Sequence, residues 1–115
     1  MPTTSPVLTE SPSLRIVLST FPSADKAAEV ARILVEEKLC ACVNVVPGLR
    51  SIYRWQDAVS DDTEVLAVIK TTREGVPPLA DRLASLHPYE VPEIIALDVA
   101  TAHTAYAAWV ASSIQ

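Results

Sequence analysis

Only two glycines, Gly48 and Gly75, occur in 115 residues. A phosphate-cradling loop needs several close together so that backbone N–H groups can converge on the anion. Motifs of that kind are excluded. Cysteine is as scarce, with only Cys40 and Cys42. Two residues apart in a strand, they share a face and cannot easily bond to each other. They form no disulfide framework, and a reducing cytosol suits them best. Basic residues are also short, at nine Lys and Arg against fourteen Asp and Glu, for a net charge of −5. Nucleic acid wants a basic face, so it is not the main partner. No apolar run approaches the roughly 20 residues of a membrane helix. The chain does not open on a basic segment followed by an apolar one, the pattern of a secretory signal. The expectation is a cytoplasmic protein without a membrane or nucleic-acid partner.

What is present is apolar: half of the residues. At this length they build one domain with a modest core. Residues 1–13 are rich in Pro, Ser and Thr and read as a disordered leader. Residues 14–115 read as the single folded domain.

Leu14–Thr20 is a strand by composition. Ser23 is placed as a helix N-cap, with Asp25 in the favourable first turn. Ala24, Ala27, Val30, Ala31, Leu34 and Val35 make one stripe, predicting an amphipathic helix to about Lys38. Cys40–Val46 is a second strand, broken or bulged by Pro47-Gly48. It continues extended over Leu49–Gln56, and Asp57–Asp62 reads as a polar turn before a third strand, Glu64–Thr72. The two strands form a long hairpin. Pro77 and Pro78 open a second helix with Val76, Leu79, Leu83 and Leu86 inward. Pro88 ends it. Ile94–Val99 is a fourth strand. A last helix follows Thr101–Thr104, with Tyr106, Trp109 and Val110 on its buried side. The order β-α-β-β-α-β-α predicts an α+β, ferredoxin-like split β-α-β sandwich, its antiparallel sheet covered by helices on one face. The third and fourth strands are apolar at consecutive positions, as in strands buried on both faces. A second copy of the chain is the simplest cover for the helix-free face and the hairpin edges.

The densest polar stretch is His87-Pro88-Tyr89-Glu90-Val91-Pro92-Glu93-Ile94. His87 offers an imidazole to copper or zinc, or it is a helix C-terminal residue favoured by the dipole. Cys40 and Cys42 are soft ligands for copper(I), or buried strand residues. Glu90 and Glu93 are spaced too irregularly for a general acid/base pair. With Tyr89 they suit a small ligand, a hard cation or a subunit contact. Lys70 sits in an apolar strand and needs a carboxylate, for which Glu93 is the expected partner. Tyr53 and Trp55 suit a subunit contact. His103 falls in the last helix's first turn and carries no assigned role.

Four segments together resemble the CutA family of divalent-ion tolerance proteins. They are Lys38-Leu39-Cys40-Ala41-Cys42-Val43-Asn44-Val45-Val46-Pro47-Gly48, Ser51-Ile52-Tyr53-Arg54-Trp55, Ile69-Lys70-Thr71-Thr72 and His87–Ile94. The resemblance runs from about Leu14 to Ile114. It implies a homotrimer, an architecture similar to the PII signalling proteins, no enzymatic activity and no required cofactor. It also implies tolerance to copper and other divalent metals, with His87 and Cys42 as metal ligands. Tyr53, Trp55, Lys70, Tyr89, Glu90 and Glu93 are expected around a cleft between subunits. Two positions depart from the family's proposed copper site. Ser19 stands where a cysteine would, and Leu86 stands where a histidine would precede His87. The alternative is a PII-like signalling or scaffold trimer that binds a small ligand or partner protein in that cleft.

Overall fold

The computed structural model describes residues 7–115. Its strands are β1 Leu8–Glu10, β2 Leu14–Phe21, β3 Cys42–Trp55, β4 Ala58–Thr72, β5 Ile95–Asp98 and β6 Thr101–His103. Its helices are α1 Ala24–Glu36, α2 Val76–Leu86 and α3 Thr104–Ser112. β3, β4, β2 and β5 lie in that order in one sheet whose neighbours are all antiparallel. This is the ferredoxin-like arrangement.

Alternation along β2 and β4 assigns the faces. Val17, Ser19 and Phe21 of β2, and Val65, Ala67, Ile69 and Thr71 of β4, are buried. They meet Ala27, Val30 and Leu34 of α1 and Leu79 and Leu83 of α2 in the main core. Ser23 caps α1 by accepting from the Lys26 N–H at 3.1 Å. The Thr71 hydroxyl is satisfied by the Leu39 carbonyl at 2.9 Å. The Ser19 hydroxyl is fully buried and has no hydrogen-bond partner among the described residues. Leu14, Ala41 and Val110 form a second, smaller cluster. Through it α3 covers one end of the other sheet face.

Scarce glycine shows in the backbone. Lys38, Gln56 and Asp57 all adopt positive φ, at 60°, 49° and 62°. Lys38 ends α1 in the left-handed region, so the helix stops before it. Gln56-Asp57 is a two-residue turn with both φ values positive, as a type I′ hairpin requires. It pairs Trp55 directly with Ala58. The polar segment expected as a turn at Asp57–Asp62 is therefore mostly strand, because a tighter turn closes the hairpin first. The register shift between Val46 and Leu49 places the bulge at Pro47-Gly48. Replacing Gln56-Asp57 with Asn-Gly is expected to raise stability by about 1 kcal/mol, since both residues tolerate positive φ at less cost. Chemical denaturation checks this, and no gain would mean that the turn is not strained.

Two expectations are corrected. The leader over residues 1–13 is partly ordered: β1 pairs with β6 from Leu8↔His103 to Glu10↔Thr101. The Thr104 N–H donates to the Val7 carbonyl at 2.9 Å, and Ser11 is buried. Low hydrophobicity concealed a strand held mainly by backbone pairing, with the Thr104 hydroxyl adding bonds to the Val7 carbonyl and the Thr9 hydroxyl. The rest of that expectation, over residues 1–6, lies outside the described residues. On α3 only Val110 is fully buried, while Tyr106 and Trp109 are 38% and 46% exposed. In a single chain all four residues of β5 are exposed, so the face that a second copy was expected to cover is open there.

Candidate functional site

α2 ends at Leu86, and the next residues carry the chain back toward the sheet. His87 is its C-cap in extended conformation, as a residue before proline prefers. The imidazole is 9% exposed and stacks on Phe21, with ring centroids 4.4 Å apart and planes 20° apart. Its Nδ1 accepts from the Tyr89 N–H at 3.1 Å. That leaves the proton on Nε2, which donates to the Thr20 carbonyl at 2.9 Å. Burial lowers its pKa from 6.5, against the raising effects of the Thr20 carbonyl and Glu64. His87 is thus a neutral clasp between the corner and the end of β2.

That clasp delivers Tyr89 to the helix-free face. Its hydroxyl donates to Glu64 Oε2 at 2.7 Å. Burial and this bond raise the phenol pKa well above its usual range. Nearby, Tyr53 donates to Asp62 Oδ2 at 2.5 Å, which also raises its pKa. Here a cleft of about 760 Å³ opens. Its floor comes from Thr20 of β2 and from Glu64 and Leu66 of β4. Leu49, Ser51, Ile52, Tyr53 and Trp55 of β3 form one wall. Pro88, Tyr89, Glu90, Val91 and Glu93 of the corner form the other.

Five of the six expected cleft residues line it, namely Tyr53, Trp55, Tyr89, Glu90 and Glu93. Lys70 does not. It shares the face but lies four residues beyond Leu66, roughly 13 Å along β4. Its ammonium donates to the Asn44 side-chain oxygen. No ion pair joins it to Glu93 among the described residues, which corrects that expectation. An amide on β3, diagonal to Lys70 in the register, takes the place of the carboxylate. Glu64 is the residue that sequence reasoning missed. Its signal was a carboxylate facing away from the core at the head of an apolar run.

Cys42 lies elsewhere. It pairs with Lys70 on β3, at the end of the face that α3 covers. Its Sγ is 3.5 Å from the Tyr106 hydroxyl. Burial and this thiol raise the Tyr106 pKa to about 12. Cys40 is 1% exposed and precedes the strand, and burial pushes its thiol up to about 12. A thiol reagent at pH 8 is expected to add once, at Cys42, until the protein unfolds. Peptide mass mapping checks this, and equal rates at both cysteines would contradict it. Within one chain His87 and Cys42 are not brought together. Among the described residues no three His, Cys, Asp or Glu side chains gather closely enough to hold a metal ion. Ser19 and Leu86 supply no ligand: one is a core hydroxyl, the other packs against the core.

Fold and cleft together define a ferredoxin-like α+β domain with an open acidic and aromatic cleft on its helix-free face. The comparisons narrow the class. Residues 15–113 match the family model described as CutA1 divalent ion tolerance protein. The divalent-cation tolerance protein CutA of Thermus thermophilus is 52% identical over 94 residues, or 82% of this chain and 91% of that protein. Human CutA is 45% identical over 98 residues, 85% of this chain. The chain spans about half of that longer relative, 55% of its length. The CutA structure from Synechococcus elongatus superposes with a TM-score of 0.90 at 38% identity, covering 94% of this chain and 96% of that one. The chain belongs to the CutA1 divalent ion tolerance family, which is not a known enzyme family. No described helix is long and apolar enough to cross a membrane. An Archaeoglobus fulgidus relative is named periplasmic and an Arabidopsis thaliana relative chloroplastic.

Proposed function

We propose that this chain serves divalent-cation tolerance as a cytoplasmic homotrimer, without catalysis, and that its working site is the Tyr89–Glu64 cleft, completed by the next subunit. The observation that carries this reading is the cleft itself. A buried histidine holds Tyr89 in place, and three carboxylates and three aromatic rings face open space. Self-association is supported by what one chain leaves uncovered. The β3–β4 hairpin projects far enough to make the chain 64 Å long. Ile52 and Val59 on it are 65% and 68% exposed. Ile95 and Leu97 leave apolar surface on the helix-free face at the edge of the sheet. An isolated two-stranded arm is only marginally stable in water, and apolar patches of this kind mark contacts. This arrangement suits a PII-like module that binds a ligand between subunits.

Weak copper binding through His87 and Cys42 is the second reading. It is supported by the imidazole and the half-buried thiol, but a metal on His87 must displace either Thr20 or Tyr89. Light scattering at micromolar concentration should give three times the 12.4 kDa chain mass, and a monomer would sink the trimer. Calorimetric titration with copper(I) and copper(II) separates the two site readings. Binding tighter than millimolar that is lost in both His87→Ala and Cys42→Ser favours copper at those residues over the cleft.

A further inference from the structure

The cleft has a charge pattern that selects among ligands. None of its lining residues is Lys, Arg or His. Glu64, Glu90 and Glu93 line it, and Asp62 stands behind Tyr53. A phosphate, nucleotide or carboxylate ligand would meet only like charge on this chain's side of the cleft. Both phenol donors are already spent, Tyr89 on Glu64 and Tyr53 on Asp62. What remains for a ligand is carboxylate oxygen, ring faces, an apolar wall and the neutral donors of Thr20, Ser51 and Trp55, with no cationic group among them.

The carboxylates do not converge. Among the described residues no three acidic, His or Cys side chains gather into a metal-sized set. Glu90 and Glu93 are three residues apart on a non-helical segment, a reach of at most about 10 Å. A bare divalent ion needs its oxygen ligands in one shell, so it cannot use all of these carboxylates together. A chain with cationic ends and methylenes between them can. Its ammonium groups would meet the separated carboxylates through charge-assisted hydrogen bonds. The rings of Trp55, Tyr53 and Tyr89 attract cations to their faces. Leu49, Ile52 and Leu66 offer an apolar surface to the methylenes.

We infer that the ligand class of this cleft is a small organic polycation, an aliphatic diamine or polyamine, held by the Glu90 and Glu93 carboxylates and the Trp55 ring. This rests on the cleft reading above and narrows it to one chemistry.

The test is calorimetric titration of the full chain with spermidine, putrescine, magnesium, copper(II) and ATP. Spermidine is expected to bind more tightly than putrescine, with affinity falling as salt rises. Glu90→Gln, Glu93→Gln and Trp55→Ala should each weaken spermidine about tenfold. All three side chains are exposed in a single chain, and thermal melts with light scattering check that each variant stays folded and assembled as the unsubstituted chain is. Glu29→Gln and Glu36→Gln on α1 should leave binding unchanged, which separates the cleft from general attraction to an acidic protein. No spermidine binding, or binding that responds equally to the α1 variants, overturns the inference. ATP binding weakened by Trp55→Ala would overturn the polycation class and leave the cleft as a ligand site. Copper displacing spermidine, with the same dependence on Glu90 and Glu93, would make the ligand a metal and also overturn it. If Trp55→Ala changes the binding of none of the five probes, the cleft reading falls as well.

Discussion

Phe21→Ala is expected to lose about 3–5 kcal/mol, the range for deleting a buried phenylalanine. Against a typical domain stability of about 5–15 kcal/mol, such a loss threatens folding itself. The ring ends β2 at 1% exposure, among Val17, Leu34, Leu79 and Leu83. It also forms the platform on which His87 stacks. Removal therefore opens a cavity and frees the clasp that aims Tyr89 at Glu64. Phe21→Leu separates the two effects: it keeps most of the burial and loses the flat stacking surface, so it should cost clearly less. Denaturant midpoints at constant slope give both values. A loss below about 1 kcal/mol for the alanine variant would mean that the core collapses around the gap, and this account of the corner would be wrong.

The large elements were legible because apolar spacing and local signals agreed. On α1 the stripe, the Ser23 cap and Asp25 all pointed to one helix. On α2 the prolines fell where a first turn tolerates them. At the Pro47-Gly48 bulge, a residue without an N–H and one free to take positive φ coincided. What was not legible depended on partners distant in sequence. β1 has little apolar content and exists only because Thr101–His103 offers it a free edge. Tyr106 and Trp109 looked like core residues by size, yet Val110 alone turns fully inward. His103 caps α3 by accepting from the Tyr106 N–H at 3.3 Å, a role that Ser, Thr, Asp or Asn would have advertised.

The cleft divided along the same line. The aromatics and glutamates on motif segments line the cleft of the single chain. Glu64 was missed, because its importance comes from a tyrosine 25 positions away. Lys70 lies outside that lining, since strand alternation gives the face of a residue but not its distance from the far end. For His87 the sequence offered either an imidazole to a metal or a helix C-terminal residue favoured by the dipole. The fold instead spends both ring nitrogens on backbone groups, which no spacing rule reveals.

His87 therefore makes a pH-dependent prediction. Its folded pKa lies below the ordinary 6.5, chiefly because burial disfavours the imidazolium. Protonation would also put a hydrogen on Nδ1, where the Tyr89 N–H already points. In the window between the two pKa values the unfolded chain binds more protons than the native one. Stability therefore rises with pH there. The contribution is complete above about 6.5 and is lost as pH falls below it toward the folded value. Denaturation at steps from pH 8 to pH 5 should show this decline in a His103→Asn background, which removes the other histidine and keeps a capping side chain. His87→Gln in the same background should flatten this part of the profile, because glutamine does not titrate. His87→Ala should cost about 2–5 kcal/mol at pH 8, since it leaves the Thr20 carbonyl and the Tyr89 N–H without their partner. If the protein with His87 intact instead gains stability on acidification through this range, the imidazole is charged in the folded state. The neutral clasp, and the placement of Tyr89 that depends on it, would then be wrong.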